Sequence, residues 1–237
     1  MPAISPEVAD LRAEMVALRR ELHAHPELAF QETRTAARVV EYLQGSGLDV
    51  RSGVGRTGVV ATAGGGAGPT LLLRVDLDGL PIQEQNEVPY ASRTPGVMHA
   101  CGHDGHVAMG ATAARVLARR RLGGTVRLLF QPAEEGEGGA RSVIEAGVLD
   151  GADLAIGIHL WNEQPVGTIG VKAGPLMAAV DRLERVPGCY VFVGSANPAR
   201  GLAHPHHSPL FDFDEEALPI GCEFLVRVAE EALKTSS

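Results

Sequence analysis

The chain has 237 residues, 45% hydrophobic and 21% charged, with 29 Asp and Glu against 21 Lys and Arg for a formal net charge of −8. That balance excludes a disordered or fibrous chain, and scattered basic residues on an acidic background argue against a nucleic-acid partner. Three cysteines, Cys101, Cys189 and Cys222, make no CxxC pair and no disulfide framework, and no stretch approaches the ~18 consecutive apolar residues of a membrane span. With an acidic N-terminal segment where a secretory signal would be basic, the chain reads as soluble and cytoplasmic, with no membrane partner.

In chain order, Ser5 is a cap candidate before Pro6 and Glu7, predicting a first helix that ends near His25 and Pro26. "QETRTAARVVEYLQGSG" predicts a second helix, with Val39, Val40 and Leu43 on one face and Gly45 and Gly47 closing it. From Val54, "VGRTGVVATAGGGAGPTLLLRVDLDGLP" holds two aliphatic runs parted by glycines, read as a hairpin or neighbouring strands. Helix and strand then alternate: "GHVAMGATAARVLARRR" helical, "TVRLLFQPA" a strand, "GARSVIEAGVLD" helical, "ADLAIGIHL" a strand. "VGTIGVKAGPLMAAVDRL" and "GCYVFVGSA" are strand-like, and "DEEALPIGCEFLVRVAEEALK" closes the chain as an amphipathic helix. Short aliphatic strands between helices predict an α/β fold, a mostly parallel mixed sheet flanked by helices.

The GxGxxG match at Gly53 to Gly58 precedes a strand instead of opening a helix, so it reads as coincidence. The chemistry gathers elsewhere. "HACGHDGH" supplies His99, Cys101, His103, Asp104 and His106 before a helix; "QPAEEGEGG" supplies Glu134, Glu135 and Glu137 after a strand. "GIHLW" puts His159 at a strand end, and "HPHHSPLFDFDE" adds His204, His206 and His207 before the last helix. Carboxyl ends of strands are where α/β proteins carry their sites.

Any one of these residues has an ordinary explanation as surface or satisfied core. Imidazoles and carboxylates gathered at one sheet edge would repel or need partners, and divalent cations supply the missing charge. Cysteine, histidine and glutamate together suit Zn²⁺ or a similar ion, with the adjacent glutamate free to take a proton. A cysteine nucleophile at Cys101 is the rival reading, but neighbours at i±2 rarely form a positioned dyad and the Glu pair is left idle. Asp76 and Asp78 in "RVDLDGLP" end a strand nearby, where orienting a histidine and forming a turn are equally good readings.

Taken in order, "LHAHPELAFQE", "RVDLDGLPI", "HACGHDGH", "QPAEEGEGGA", "GIHLW", "AGPLMAA" and "HHSPLFDFDEEALP" resemble the M20 metallopeptidase family, in particular its amidohydrolase branch of hippurate hydrolases, N-acyl-amino-acid deacylases and auxin-conjugate hydrolases. The resemblance implies a two-metal, aminopeptidase/carboxypeptidase-like catalytic domain in which Cys101 bridges two divalent ions (Zn, or Mn, Co or Ni) and His103, Glu135, His159 and His207 complete the ligands. Glu134 would be the general base, supported by Asp76, in hydrolysis of the amide bond of N-acyl amino acids by an activated water. Family members carry an inserted lid and dimerisation domain after the strand matching "LMAAVDR"; here that text runs into "LERVPGCYVF". The chain therefore reads as one catalytic domain over 1–237 with the insert missing at about 181–184. Two outcomes follow: an active hydrolase, or a metal-binding core with little turnover, monomeric or altered in assembly.

Overall fold

The computed structural model describes residues 3–136, 138–171 and 186–234. In chain order the elements are α1 (Pro6–Asp10), α2 (Arg12–His23), α3 (Thr33–Leu43), β1 (Asp49–Val54), β2 (Gly58–Gly64), β3 (Thr70–Asp76), α4 (His103–Leu117), β4 (Thr125–Gln131), α5 (Gly139–Glu145), β5 (Leu154–Pro165), β6 (Ile169–Gly170), β7 (Gly188–Ala196) and α6 (Ala217–Ala232). The strands form one sheet in the order β1-β2-β4-β3-β5-β7-β6. The middle pairings β4-β3, β3-β5 and β5-β7 are parallel, and the outer ones are antiparallel.

Alternation along the strands divides the layers. Leu71, Leu73 and Val75 of β3, Leu128 and Phe130 of β4, and Ile156, Ile158 and Leu160 of β5 share a core with α1 to α4 and α6. The odd partners Val60, Leu72, Leu129 and Ala155 meet Val143 of α5 on the other face. Both faces of the middle strands are covered, which is why they read as unbroken aliphatic runs. α4 crosses the centre and buries every residue except Arg115. Its small residues allow this: a Cβ on Gly105 would stand 2.6 Å from Leu160 and Phe213.

The structure corrects three local readings. β2 and β3 do not pair; β4 lies between them, and the hairpin is β1-β2. The glycine-rich turn cannot settle this because β3 finds its parallel partner β4 only through the α4 crossover. The first helix is interrupted at Leu11. Ser5 stands at the cap position, but its hydroxyl donates to Glu223 of α6 at 2.7 Å and caps nothing. Of the strand-like stretch from Val166, the described part yields only β6; the expected junction at 181–184 lies outside the described residues. No described helix is long and apolar enough to cross a membrane.

Candidate metal centre

Chain direction reverses between β3 and β5: from β3 it runs outward to β4, then returns across β3 to β5. A crevice opens at such a point beyond the carboxyl ends, and four segments enter it. The β3–α4 loop brings Cys101 and, at the start of α4, His103. The β4–α5 loop brings Glu134 and Glu135, β5 brings His159, and the segment before α6 brings His207.

The donors converge. Ligand atoms of Cys101, His103 and His159 lie within 4.8 Å of one another, as do those of Cys101, Glu135 and His207, and those of His103, Glu134 and Glu135. Cys101, His103 and Glu135 each belong to two of these groups. Cys101 Sγ is 3.4 Å from His159 Nε2, and His207 Nε2 is 3.3 Å from Glu135 Oε1.

Hydrogen bonds behind the rings aim them. His103 Nδ1 donates to the Asp78 carbonyl at 2.9 Å and His159 Nδ1 to the Leu160 carbonyl at 2.5 Å, so each presents Nε2 to the crevice. A histidine ligand is held by this kind of outer bond. His103 Nε2 and Glu135 Oε1 are buried without hydrogen-bond partners, a costly arrangement unless a cation fills the space between them. On that observation, and on a donor set of thiol, imidazole and carboxylate, the site fits divalent metal ions.

Backbone conformation completes the aim. Ala133 and His207 both hold a left-handed backbone, at φ 51° and 65°. The Ala133 N–H donates to buried Glu32 at 2.8 Å, and the His207 N–H donates to the Ala100 carbonyl at 2.8 Å. Glu135 is pinned separately, its N–H donating to Asp78 Oδ2 at 3.0 Å. Gly139 has no alternative residue, since a Cβ there would stand 1.8 Å from the Pro132 carbonyl oxygen.

The charges are arranged in opposition. Burial alone would raise Asp76, yet His103, His106 and Arg74 hold it well below the usual carboxylate range. Burial raises the Glu134 carboxyl, reinforced by the Asp76 charge. Burial pushes the Cys101 thiol up to about 12, and burial with His106 nearby holds His159 well below its ordinary value. Burial thus disfavours the Cys101 thiolate that a cysteine nucleophile needs.

Asp76 is fully buried and forms a further such donor group with His103 and His106, but its oxygens are taken by hydrogen bonds. Its Oδ1 accepts from His106 Nδ1 at 2.5 Å, its Oδ2 from Arg74 at 2.7 Å, and His103 Nε2 is 3.7 Å away. His106 in turn accepts the Leu160 N–H at 2.9 Å, so Asp76 and His106 link β3 to the strand carrying His159. His206 stacks on Trp161 with ring centroids 4.8 Å apart, while His204 is exposed. Glu137 lies outside the described residues. Sequence reasoning missed Glu32, because a buried acid whose partner lies 101 positions along the chain has no local signature, and it missed Arg74, which bonds Asp76 two residues on.

Comparison with known proteins agrees with this geometry. Residues 72–182 match the model of peptidase family M20/M25/M40. The chain is 49% identical over 176 residues to the N-acetylcysteine deacetylase of Bacillus subtilis, covering 73% of this chain and 46% of that protein. It is 48% identical over 179 residues to the N-acyl-L-amino acid amidohydrolase of Geobacillus stearothermophilus, covering 74% and 48%. The fold superposes on the YXEP protein of Bacillus subtilis, described as a dinuclear metal-binding peptidase, with a TM-score of 0.88 and 28% identity over 96% of this chain and 100% of that one.

The chain carries a peptidase family M20 domain. It spans less than half the length of the two relatives named.

Proposed function

We propose that the chain hydrolyses the amide bond of N-acyl amino acids at a centre of two divalent metal ions. The observation that carries this reading is the mutual orphaning of His103 Nε2 and Glu135 Oε1 within a cluster that also contains Cys101, His159 and His207. These five residues would hold the ions, with Cys101 shared; zinc, manganese, cobalt and nickel all suit the donors. Bound there, the ions polarise the scissile carbonyl and acidify the attacking water.

The chain's own contribution is proton transfer. Glu134 stands at the crevice with its Oε2 3.9 Å from His103 Nε2 and its Oε1 3.5 Å from Arg74. Its raised pKa suits a group that takes the water's proton and delivers it to the departing amine. Asp76 acts from behind, through His106. The relatives named for N-acetylcysteine and N-acyl-L-amino acids support the substrate class. The test is Zn²⁺- or Mn²⁺-dependent release of glycine from hippurate, abolished by chelation.

The run of "LMAAVDR" straight into "LERVPGCYVF" motivates a second reading, a metal-binding core with little turnover. In it the chain is one catalytic domain without the inserted domain expected at 181–184, cytoplasmic, and monomeric or altered in assembly. Bound metal without hippurate turnover would select this reading.

A further inference from the structure

Behind the donor cluster lies a second set of buried charges. Arg19 of α2 has a fully buried side chain. Its guanidinium donates to Asp104 at 2.8 Å, Asp212 at 2.6 Å and Glu215 at 3.3 Å, and lies 4.3 Å from the Phe213 ring centroid. His23, one turn on, bridges Asp104 at 2.8 Å and Glu84 at 3.1 Å. The Tyr90 hydroxyl donates to Asp212 at 2.8 Å, and Glu84 also accepts the Ser92 N–H at 2.6 Å.

The partners' positions give this network its meaning. Asp104 directly follows His103 in the first turn of α4. Asp212 and Glu215 lie in the segment that carries His207, and Glu84 and Tyr90 in the loop that ends at Cys101. α2 supplies none of the candidate ligands, yet its charged face is tied to the segment of Cys101 and His103 and to that of His207.

Docking this helix does not require the charges. Met15, Leu18 and Leu22 already bury its apolar face, and burying a guanidinium is costly even when paired. What buried ions joined by several hydrogen bonds do supply is a single geometry for the groups they join, here with Arg19 and His23 both on Asp104 Oδ2. His207, with a half-exposed side chain and a left-handed backbone, has the most need of such support.

We propose that Arg19 and His23 are positioning residues of the metal centre, clamping the loops of Cys101, His103 and His207 from behind so that ion affinity depends on side chains that never touch the ion. The proposal rests on the metal-dependent reading above. It is tested on the whole chain with wild type, Arg19→Lys, His23→Gln and Tyr90→Phe. Two quantities are read: Zn²⁺ affinity by competition with a chromogenic chelator, and amide hydrogen exchange in ion-free protein.

Lysine is a point charge that cannot span three carboxylates. Arg19→Lys and His23→Gln are expected to weaken affinity about 10- to 100-fold, the usual effect of losing an outer partner, and to speed exchange in 204–212 while β3 and β4 stay protected. Folded variants with affinity and exchange within about threefold of wild type would overturn the proposal, being below that range. A wild type that takes up no Zn²⁺ would overturn the proposed function alone. Exchange in 204–212 would then decide the clamp, acceleration supporting it and constancy refuting it. Should Arg19→Lys not fold, Tyr90→Phe removes one hydroxyl, keeps the ring beside the guanidinium, and carries both readouts.

Discussion

His103 Nε2 and Glu135 Oε1 face each other 3.7 Å apart, both buried and neither hydrogen-bonded. A proton can relieve part of this conflict, and His103 is raised well above its ordinary value despite burial, with Asp76 the main opposing influence. A divalent cation relieves more of it, so ion binding and stability are linked. At Zn²⁺ about 100-fold above Kd the gain is about 2.7 kcal/mol, or roughly 5–10 °C in Tm for a chain of this size. Calorimetry with and without chelator measures it, and Glu135→Ala should abolish most of the shift.

Glu134 and Glu135 are neighbours with separable duties. Glu134→Gln keeps shape and removes the base, so hippurate turnover should fall about 10²- to 10⁴-fold. Metal content by elemental analysis should stay at the wild-type value. Loss of metal together with turnover would move Glu134 among the ligands.

Glu32 holds the turn that aims the pair. With Glu32→Ala, the buried Ala133 N–H loses its acceptor at a left-handed residue. A buried donor left unpaired costs about 1–3 kcal/mol, read as a lowered urea midpoint with unchanged m-value.

Asp76 joins Arg74 and His106 under the crevice. Asp76→Ala leaves the buried His106 Nδ1–H without its acceptor and takes one partner from half-buried Arg74, which keeps Gln131 at 2.9 Å, so a loss of about 1–3 kcal/mol is expected, with metal affinity reduced roughly 10- to 100-fold. Chemical denaturation and chelator competition separate the two effects.

His23 sets a pH dependence. Burial alone would lower it, but the Asp104 charge together with hydrogen bonds to Asp104 and Glu84 carries it from 6.5 up to about 9. A group whose pKa rises on folding stabilises fully below its unfolded value and loses that contribution as pH climbs through the folded one. Ion-free protein should therefore lose Tm between pH 6.5 and about 9, and His23→Gln should flatten that limb of the curve.

Much of the fold is legible along the chain because short-range physics writes it there. α3, α4 and α6 show helical periodicity, and the aliphatic runs of β3, β4 and β5 are the mark of strands covered on both faces. Pairing is not legible: β4 enters between β2 and β3 through a crossover that neither strand's residues encode.

The candidate site divides the same way. Residue chemistry by itself marked only the clusters around Cys101, Glu134, His159 and His207, because cysteine, histidine and acid clusters at strand ends are chemically expensive without a cation; the choice of Cys101, His103, Glu134, Glu135, His159 and His207 among their neighbours came from the resemblance to family M20. The tertiary structure alone decided which ring nitrogen His103 and His159 present, that Asp76 is bonded to His106, and that Arg19, His23 and Glu32 stand behind the loops. Those roles depend on hydrogen bonds between residues far apart in sequence, such as the 85 positions from Arg19 to Asp104, and such bonds exist only once the sheet has brought the loops to one edge.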